Sequence, residues 1–134
     1  MVISSFDDLL RAARDQAVPQ RLLFVFTAAG LPDDATPEQR ADFEAGEGGT
    51  LTPLMCVDKT PEELPSFDAL VEESRQFGAR WDVVFVAALP GTAAHPPSGE
   101  DAQASLKDMV EAIKSGRIDG YIPFDAEGQP VQFA

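Results

Sequence analysis

The chain alternates between segments with one apolar helical face and short runs in which every residue is apolar. Phe6, Leu9 and Leu10 recur at helical spacing after Ser5, whose hydroxyl suits the amino terminus of a helix. The segment 22–26 is apolar throughout, which is typical of a strand covered on both faces. Because this alternation continues along the chain, the pattern predicts an α/β protein.

The remaining elements are predicted from caps, glycine stops and apolar runs. Helices are expected to begin after Thr36 and Ser66 and at about Glu100, and strands to cover 51–57, 82–89 and 121–124. The segment 130–133 is expected to return beside 121–124 as a C-terminal β-hairpin. Pro53 cannot donate to a ladder, so it favours an edge position or the start of a strand.

The two halves of the chain resemble one another. At a shift of 61 residues (67 − 6), Phe6 aligns with Phe67 and Phe24 aligns with Phe85, and seven identities fall within residues 6–30. A duplication would give pseudo-repeats over about 6–59 and 67–133, each with the order helix, strand, helix, strand. The alternative is that both halves share only the general α/β pattern.

The order of elements also predicts how the strands pair. A strand–helix–strand unit implies parallel pairing within each half and a right-handed crossover. A two-fold axis normal to a shared sheet would make the two halves antiparallel to each other. We therefore expect a single α/β domain over 1–134, with a mixed sheet of four or five strands and about four helices. A wholly parallel, doubly wound sheet is the alternative.

Charge and composition narrow the possible partners and the compartment. The net charge of −13 repels phosphate backbones, which disfavours nucleic acid and anionic membranes as partners. No apolar run approaches the length of about 20 residues that spans a bilayer. The amino-terminal segment lacks the pattern of a signal peptide, and one cysteine cannot form an internal disulfide. A cytoplasmic location is therefore expected, with a protein as partner.

Few side chains suggest chemistry. Cys56 lies in a predicted strand between apolar neighbours, so we expect a buried, unreactive thiol. His95 is the sole histidine, and with a single cysteine the chain cannot assemble a zinc site from these two residue types. No catalytic residue, metal or cofactor is predicted.

One candidate ligand site follows from the predicted sheet. In open α/β sheets, ligands bind beside the carboxyl ends of the strands. The loops 27–36 and 90–99 take those places here, and they carry Asp33, Asp34, Gly91 and His95. These four residues are the candidate ligand-binding residues.

Several segments resemble a family of short proteobacterial proteins that often carry the label "ribonucleotide reductase subunit alpha". The resemblance covers nearly the whole chain, and the segments that carry it are 6–10, 19–26, 44–49, 53–59 and 109–114. The genuine catalytic subunit of that enzyme is a large barrel protein that needs a radical-bearing cysteine and a redox pair. One cysteine cannot supply these, so the label is expected to be wrong as a statement of activity, and no catalytic residue carries over.

A fainter likeness is to the N-terminal domain of SseB-like proteins. It rests on the helix–strand start and on the strand Pro53-Leu54-Met55, which is followed by Thr60-Pro61-Glu62-Glu63-Leu64. This likeness implies an interaction module. The expected function is a non-catalytic protein-interaction or regulatory module, and the alternative is a small-molecule binder or minor enzyme that uses the loops 27–36 and 90–99.

Overall fold

The computed structural model describes residues 5–16, 18–30, 36–44, 50–76, 78, 80–92, 95, 97–118 and 120–131, with backbone alone at 29, 42–44 and 50. Its helices are α1 (Phe6–Arg14), α2 (Pro37–Glu44), α3 (Phe67–Gln76) and α4 (Gly99–Lys114), with a short 3-10 helix at Pro61–Glu63. Its strands are β1 (Gln20–Gly30), β2 (Thr50–Lys59), β3 (Val83–Pro90) and β4 (Ile122–Phe124). The predicted α/β class with four helices and a C-terminal strand is confirmed.

The helix starts lie where the capping residues predicted them. The Ser5 hydroxyl accepts a hydrogen bond from the Asp8 N–H, and the Ser66 hydroxyl accepts one from the Ala69 N–H. Thr36 and Gln39 exchange hydrogen bonds between side chain and backbone at the start of α2. Each bond satisfies an amide that a helix terminus would otherwise leave unpaired, so these positions can be read locally from the sequence.

The four strands form one antiparallel sheet in the order β2-β1-β3-β4. The prediction of parallel pairing within each half, and hence of a mixed sheet, is wrong, because β1 pairs antiparallel with β2 and β3 pairs antiparallel with β4. β2 and β3 instead run parallel to each other on either side of β1, since both are antiparallel to it. The fully parallel alternative is excluded as well.

The exposure of α2 explains why the pairing prediction failed. In a strand–helix–strand crossover the helix must bury an apolar face against the sheet. The described side chains of α2, at 37–41, are all exposed. The described part of this helix therefore buries no apolar face against the sheet, which agrees with a return of the chain beside β1 in the antiparallel direction.

The sheet separates two apolar clusters. The first face carries α1 and α3, where the rings of Phe6, Phe24, Phe67 and Phe124 meet. The second face carries α4, and its buried residues are Leu23, Val25, Val83, Phe85, Ala102, Leu106, Met109 and Ile113. β1 and β3 are covered on both faces, as their continuous apolar runs predict. None of the described helices is long and apolar enough to cross a membrane.

The internal repeat is not confirmed. A two-fold axis normal to the sheet would keep equivalent residues on the same face. Phe24 lies in the first cluster and Phe85 in the second, whereas Phe6 and Phe67 share the first face with ring centroids 4.9 Å apart. Phe24 and Phe85 therefore do not occupy equivalent sites.

The C-terminal segment folds back as expected over the part that is described. Phe124 forms an antiparallel bridge with Pro130, and the Val131 N–H donates to the Pro123 carbonyl. The turn between them contains Gly128 with a φ of +79°, a backbone conformation that glycine adopts readily. The last residues of the predicted hairpin, 132–133, lie outside the described residues.

Candidate functional site

The two loops of the candidate ligand site leave opposite ends of the sheet. Gly91 follows β3 and donates its N–H to the Pro19 carbonyl, beside the start of β1. Gly30 ends β1 and pairs with Thr50. A strand of eleven residues spans roughly 33 Å. Gly30 and Gly91 therefore lie at opposite ends of β1.

Of the remaining candidate ligand residues, His95 alone lies in the part of the chain that the structure describes. His95 is exposed, and its N–H and carbonyl both bond to Thr92 in a tight turn. Asp33 and Asp34 lie outside the described residues. Among the described residues, no group of three or more histidine, cysteine or carboxylate side chains is placed to hold a metal ion.

Cys56 corrects a second expectation. It lies in β2 as predicted, but its thiol is exposed and not buried. Met55 and Val57 pack against the first cluster, so the intervening Cys56 faces the other side of the sheet. β2 is an edge strand, and its alternate side chains therefore remain accessible where a central strand would bury them.

We expect Ellman's reagent to react with Cys56 of the native protein about as fast as it reacts with a small-molecule thiol. Denaturation should accelerate the reaction little, because exposure already gives the reagent access to the sulfur. A slow native reaction that becomes fast in denaturant would contradict the exposed position.

The two edges of the sheet differ. β4, at one edge, has only three residues, and the returning segment bonds to its outer side through Val131 and Pro123. β2, at the other edge, has ten residues. Among the described residues, none donates or accepts a backbone hydrogen bond on the outer side of Leu54–Asp58. A long edge of this kind is a template for another strand.

The direction of each backbone N–H in β2 follows from the ladder. The Gly91 N–H donates to the Pro19 carbonyl, so the odd-numbered residues of β1 bond to β3 and the even-numbered residues bond to β2. Met55 and Val57 stand opposite Phe26 and Phe24, and their backbone groups therefore face β1.

Two prolines lie at positions whose N–H would point away from the neighbouring strand. Pro123 stands opposite Phe85, and Pro53 stands opposite Thr27, beyond a register shift between Phe26 and Thr27 that interrupts the alternation in β2. Proline therefore removes no internal ladder bond at either place. Pro53 was the one sequence signal for this edge, and it indicated the edge correctly.

Cys56 and Asp58 consequently direct their backbone groups away from the sheet, and Leu54 is the residue without a partner in β1 at the register shift. We call this stretch, Leu54–Asp58, the free edge. Leu54 is 42% exposed, and it is the only large apolar side chain classed as exposed within the described ranges. The free edge thus offers backbone donors and acceptors together with an accessible apolar surface.

Ion pairs hold the free edge in place. Arg21 of β1 pairs with Asp58 and also donates to the Pro97 carbonyl, just before α4. Lys59 pairs with Glu73 of α3 at 2.9 Å. These partly buried pairs connect β2 to α3 on one face and, through Arg21, to the segment before α4 on the other, so side-chain contacts hold the free edge on both faces.

A groove on the first face is the other concave feature of note. It has a volume of about 360 Å³ and lies between α1 and the strands β1, β3 and β4. Its floor includes Leu22, Val86 and Ile122, and the amide of Gln20 supplies a polar group. Its small, mostly apolar lining is compatible with an apolar ligand.

The chain was compared with models of protein families, with curated proteins and with solved structures, and none of the three comparisons finds a significant match.

Proposed function

We propose that this chain is a non-catalytic, cytoplasmic protein-interaction module that binds an extended segment of another protein by strand addition to the free edge of β2. The observation that carries the proposal is the asymmetry of the sheet: among the described residues, β4 is hydrogen-bonded on its outer side, whereas Leu54–Asp58 has no backbone hydrogen bond on its outer side. Main-chain hydrogen bonds supply affinity in this mode, and alternate side chains supply specificity.

A peptide selection tests the proposal. Random peptides displayed on phage are selected against the wild-type chain, and the enriched peptides are then measured against Cys56→Pro and Cys56→Ser. Cys56→Pro removes one outward N–H, and a lost hydrogen bond of about 1–3 kcal/mol corresponds to a loss of affinity of about 5- to 150-fold. Cys56→Ser keeps the backbone and should bind as the wild type does.

Two results would oppose strand addition. Enriched peptides that bind Cys56→Pro as tightly as the wild type would place their site elsewhere. Peptides that shift amide signals at the α1 groove and leave Leu54–Asp58 unchanged would do the same.

The second candidate function is small-molecule binding, which the groove beside α1 favours. A metabolite panel tests it by ligand-dependent shifts of amide signals, and shifts around Gln20 and Ile122 would support it.

Ribonucleotide reduction is not proposed for either site, because the chain has one cysteine and hence no redox pair. We expect the purified chain not to reduce ribonucleoside diphosphates.

A further inference from the structure

Residues at both ends of the free edge limit the length over which a partner strand can pair with it. Pro53, at the amino-terminal end, has no N–H to offer a partner. At the other end, Thr60 continues the alternation, and its N–H donates to Glu63 Oε1 at 2.9 Å. The Glu63 carboxylate therefore occupies the place that the next carbonyl of an added strand would take. A docking segment is confined to about five residues of ladder.

The charged side chains at the carboxyl-terminal end of β2 differ from Glu63, in the 3-10 helix that follows, in their ion pairing. Asp58 is paired with Arg21, and the adjacent Lys59 is paired with Glu73. Among the described residues, no cation forms an ion pair with Glu63. Hydrogen bonds from the Thr60 N–H and hydroxyl, aided by the charge of Lys59, lower the pKa of Glu63, so its carboxylate is ionised at neutral pH.

We infer that the added strand runs antiparallel to β2, which is the slightly more stable pairing per residue, and carries lysine or arginine at its amino-terminal end, where that cation pairs with Glu63. This inference rests on the strand addition proposed above. In an antiparallel arrangement, one partner residue lies opposite Cys56. The partner residues on its amino-terminal side lie first beside Asp58 and then beside the Glu63 carboxylate. Apolar side chains opposite Leu54 and Cys56 complete the segment.

The charge of the whole chain favours a cationic partner over a second copy. Two copies at −13 each repel one another, whereas a cationic segment is attracted at long range. A second β2 centred on Cys56 would also set Asp58 opposite Leu54 of the other copy. Neither the repulsion between the two net charges nor the placement of a carboxylate opposite a leucine favours a second copy as the partner.

Two heptapeptides of identical composition test the inference. One is Lys-Lys-Val-Thr-Val-Thr-Val and the other is Val-Thr-Val-Thr-Val-Lys-Lys, both acetylated and amidated, so that net charge and β-propensity are matched. Antiparallel docking places the first lysine of the former beside Glu63. We expect that peptide to bind the wild-type chain about three- to fivefold more tightly, the scale of an exposed ion pair.

Glu63→Gln is the matched variant, because glutamine keeps the acceptor for the Thr60 N–H and removes only the charge. The preference between the two peptides should disappear in this variant, and it should fall in 0.5 M NaCl. Equal affinities for the wild-type chain, a preference for the carboxyl-terminal lysines, or a preference that survives Glu63→Gln would each overturn the inference.

The amide of Cys56 separates this inference from the proposed function. If both peptides protect that amide from exchange equally and bind equally, strand addition stands and the charge inference fails. If neither peptide protects it at saturation of binding, both fail. A protein dimer whose Cys56 amide is protected without peptide would assign the free edge to a second copy and would also overturn the inference.

Discussion

Truncation of Phe24 to alanine is expected to lower the free energy of unfolding by about 3–5 kcal/mol, the usual range for a buried phenylalanine. The Phe24 side chain is 0% exposed, and its ring contacts Phe6 with centroids 5.9 Å apart. Phe85 is equally buried on the opposite face, and its truncation to alanine should lower the free energy of unfolding by a similar amount. Because a domain of this size has about 5–15 kcal/mol in total, either variant should be close to unfolding.

Urea denaturation followed by circular dichroism measures both variants. Leu54→Ala is the control, because that side chain is exposed at the sheet edge and its truncation should cost less than about 1 kcal/mol. A loss below about 1 kcal/mol for Phe24→Ala would contradict its place in the first cluster.

The second large effect is a difference between proline substitutions at neighbouring positions. Val57→Pro removes an N–H that faces β1 and leaves a buried carbonyl without its donor, whereas Cys56→Pro removes an N–H that faces solvent. We expect Val57→Pro to cost at least about 2 kcal/mol more than Cys56→Pro, from the penalty for an unsatisfied buried group and the lost side chain.

Thermal and urea unfolding of the two proline variants measure this difference directly. The introduced residue is the same and the positions are adjacent, so the direction of the N–H is the main distinction between them. A greater loss of stability for Cys56→Pro would mean that the ladder alternates in the opposite sense. Equal losses would contradict the expected difference between the two N–H groups.

The local features of the fold could be predicted from the sequence. Ser5, Thr36 and Ser66 cap helices because a hydroxyl satisfies a nearby amide, and that requirement involves only three or four residues. The continuous apolar run 22–26 predicts a central strand because both faces must be buried. These conclusions depend on neighbours in the chain, and the structure confirms them.

The pairing direction could not be predicted in the same way. The connection between β1 and β2 is long enough for either direction, and only contacts distant in sequence decide between them. The polar side chains of α2 were an available signal, since a crossover helix needs an apolar face that this helix lacks.

The exposure of Cys56 was missed for a related reason. Its apolar neighbours Met55 and Val57 are partly buried, but only on one face of β2. Whether an alternate residue is buried depends on the position of the strand in the sheet, and a short apolar run does not reveal that position. Pro53 was the one residue that indicated an edge.

The most direct test of the free edge is amide hydrogen exchange along β2, measured on the monomeric chain with and without the heptapeptide that begins Lys-Lys. In the free chain, the amides of Cys56 and Asp58 should exchange at least about 100-fold faster than those of Val57 and Lys59, because only the latter bond to β1. Saturating peptide should protect Cys56 and Asp58. Uniform protection along β2 in the free monomer, or no added protection at saturation, would contradict the account.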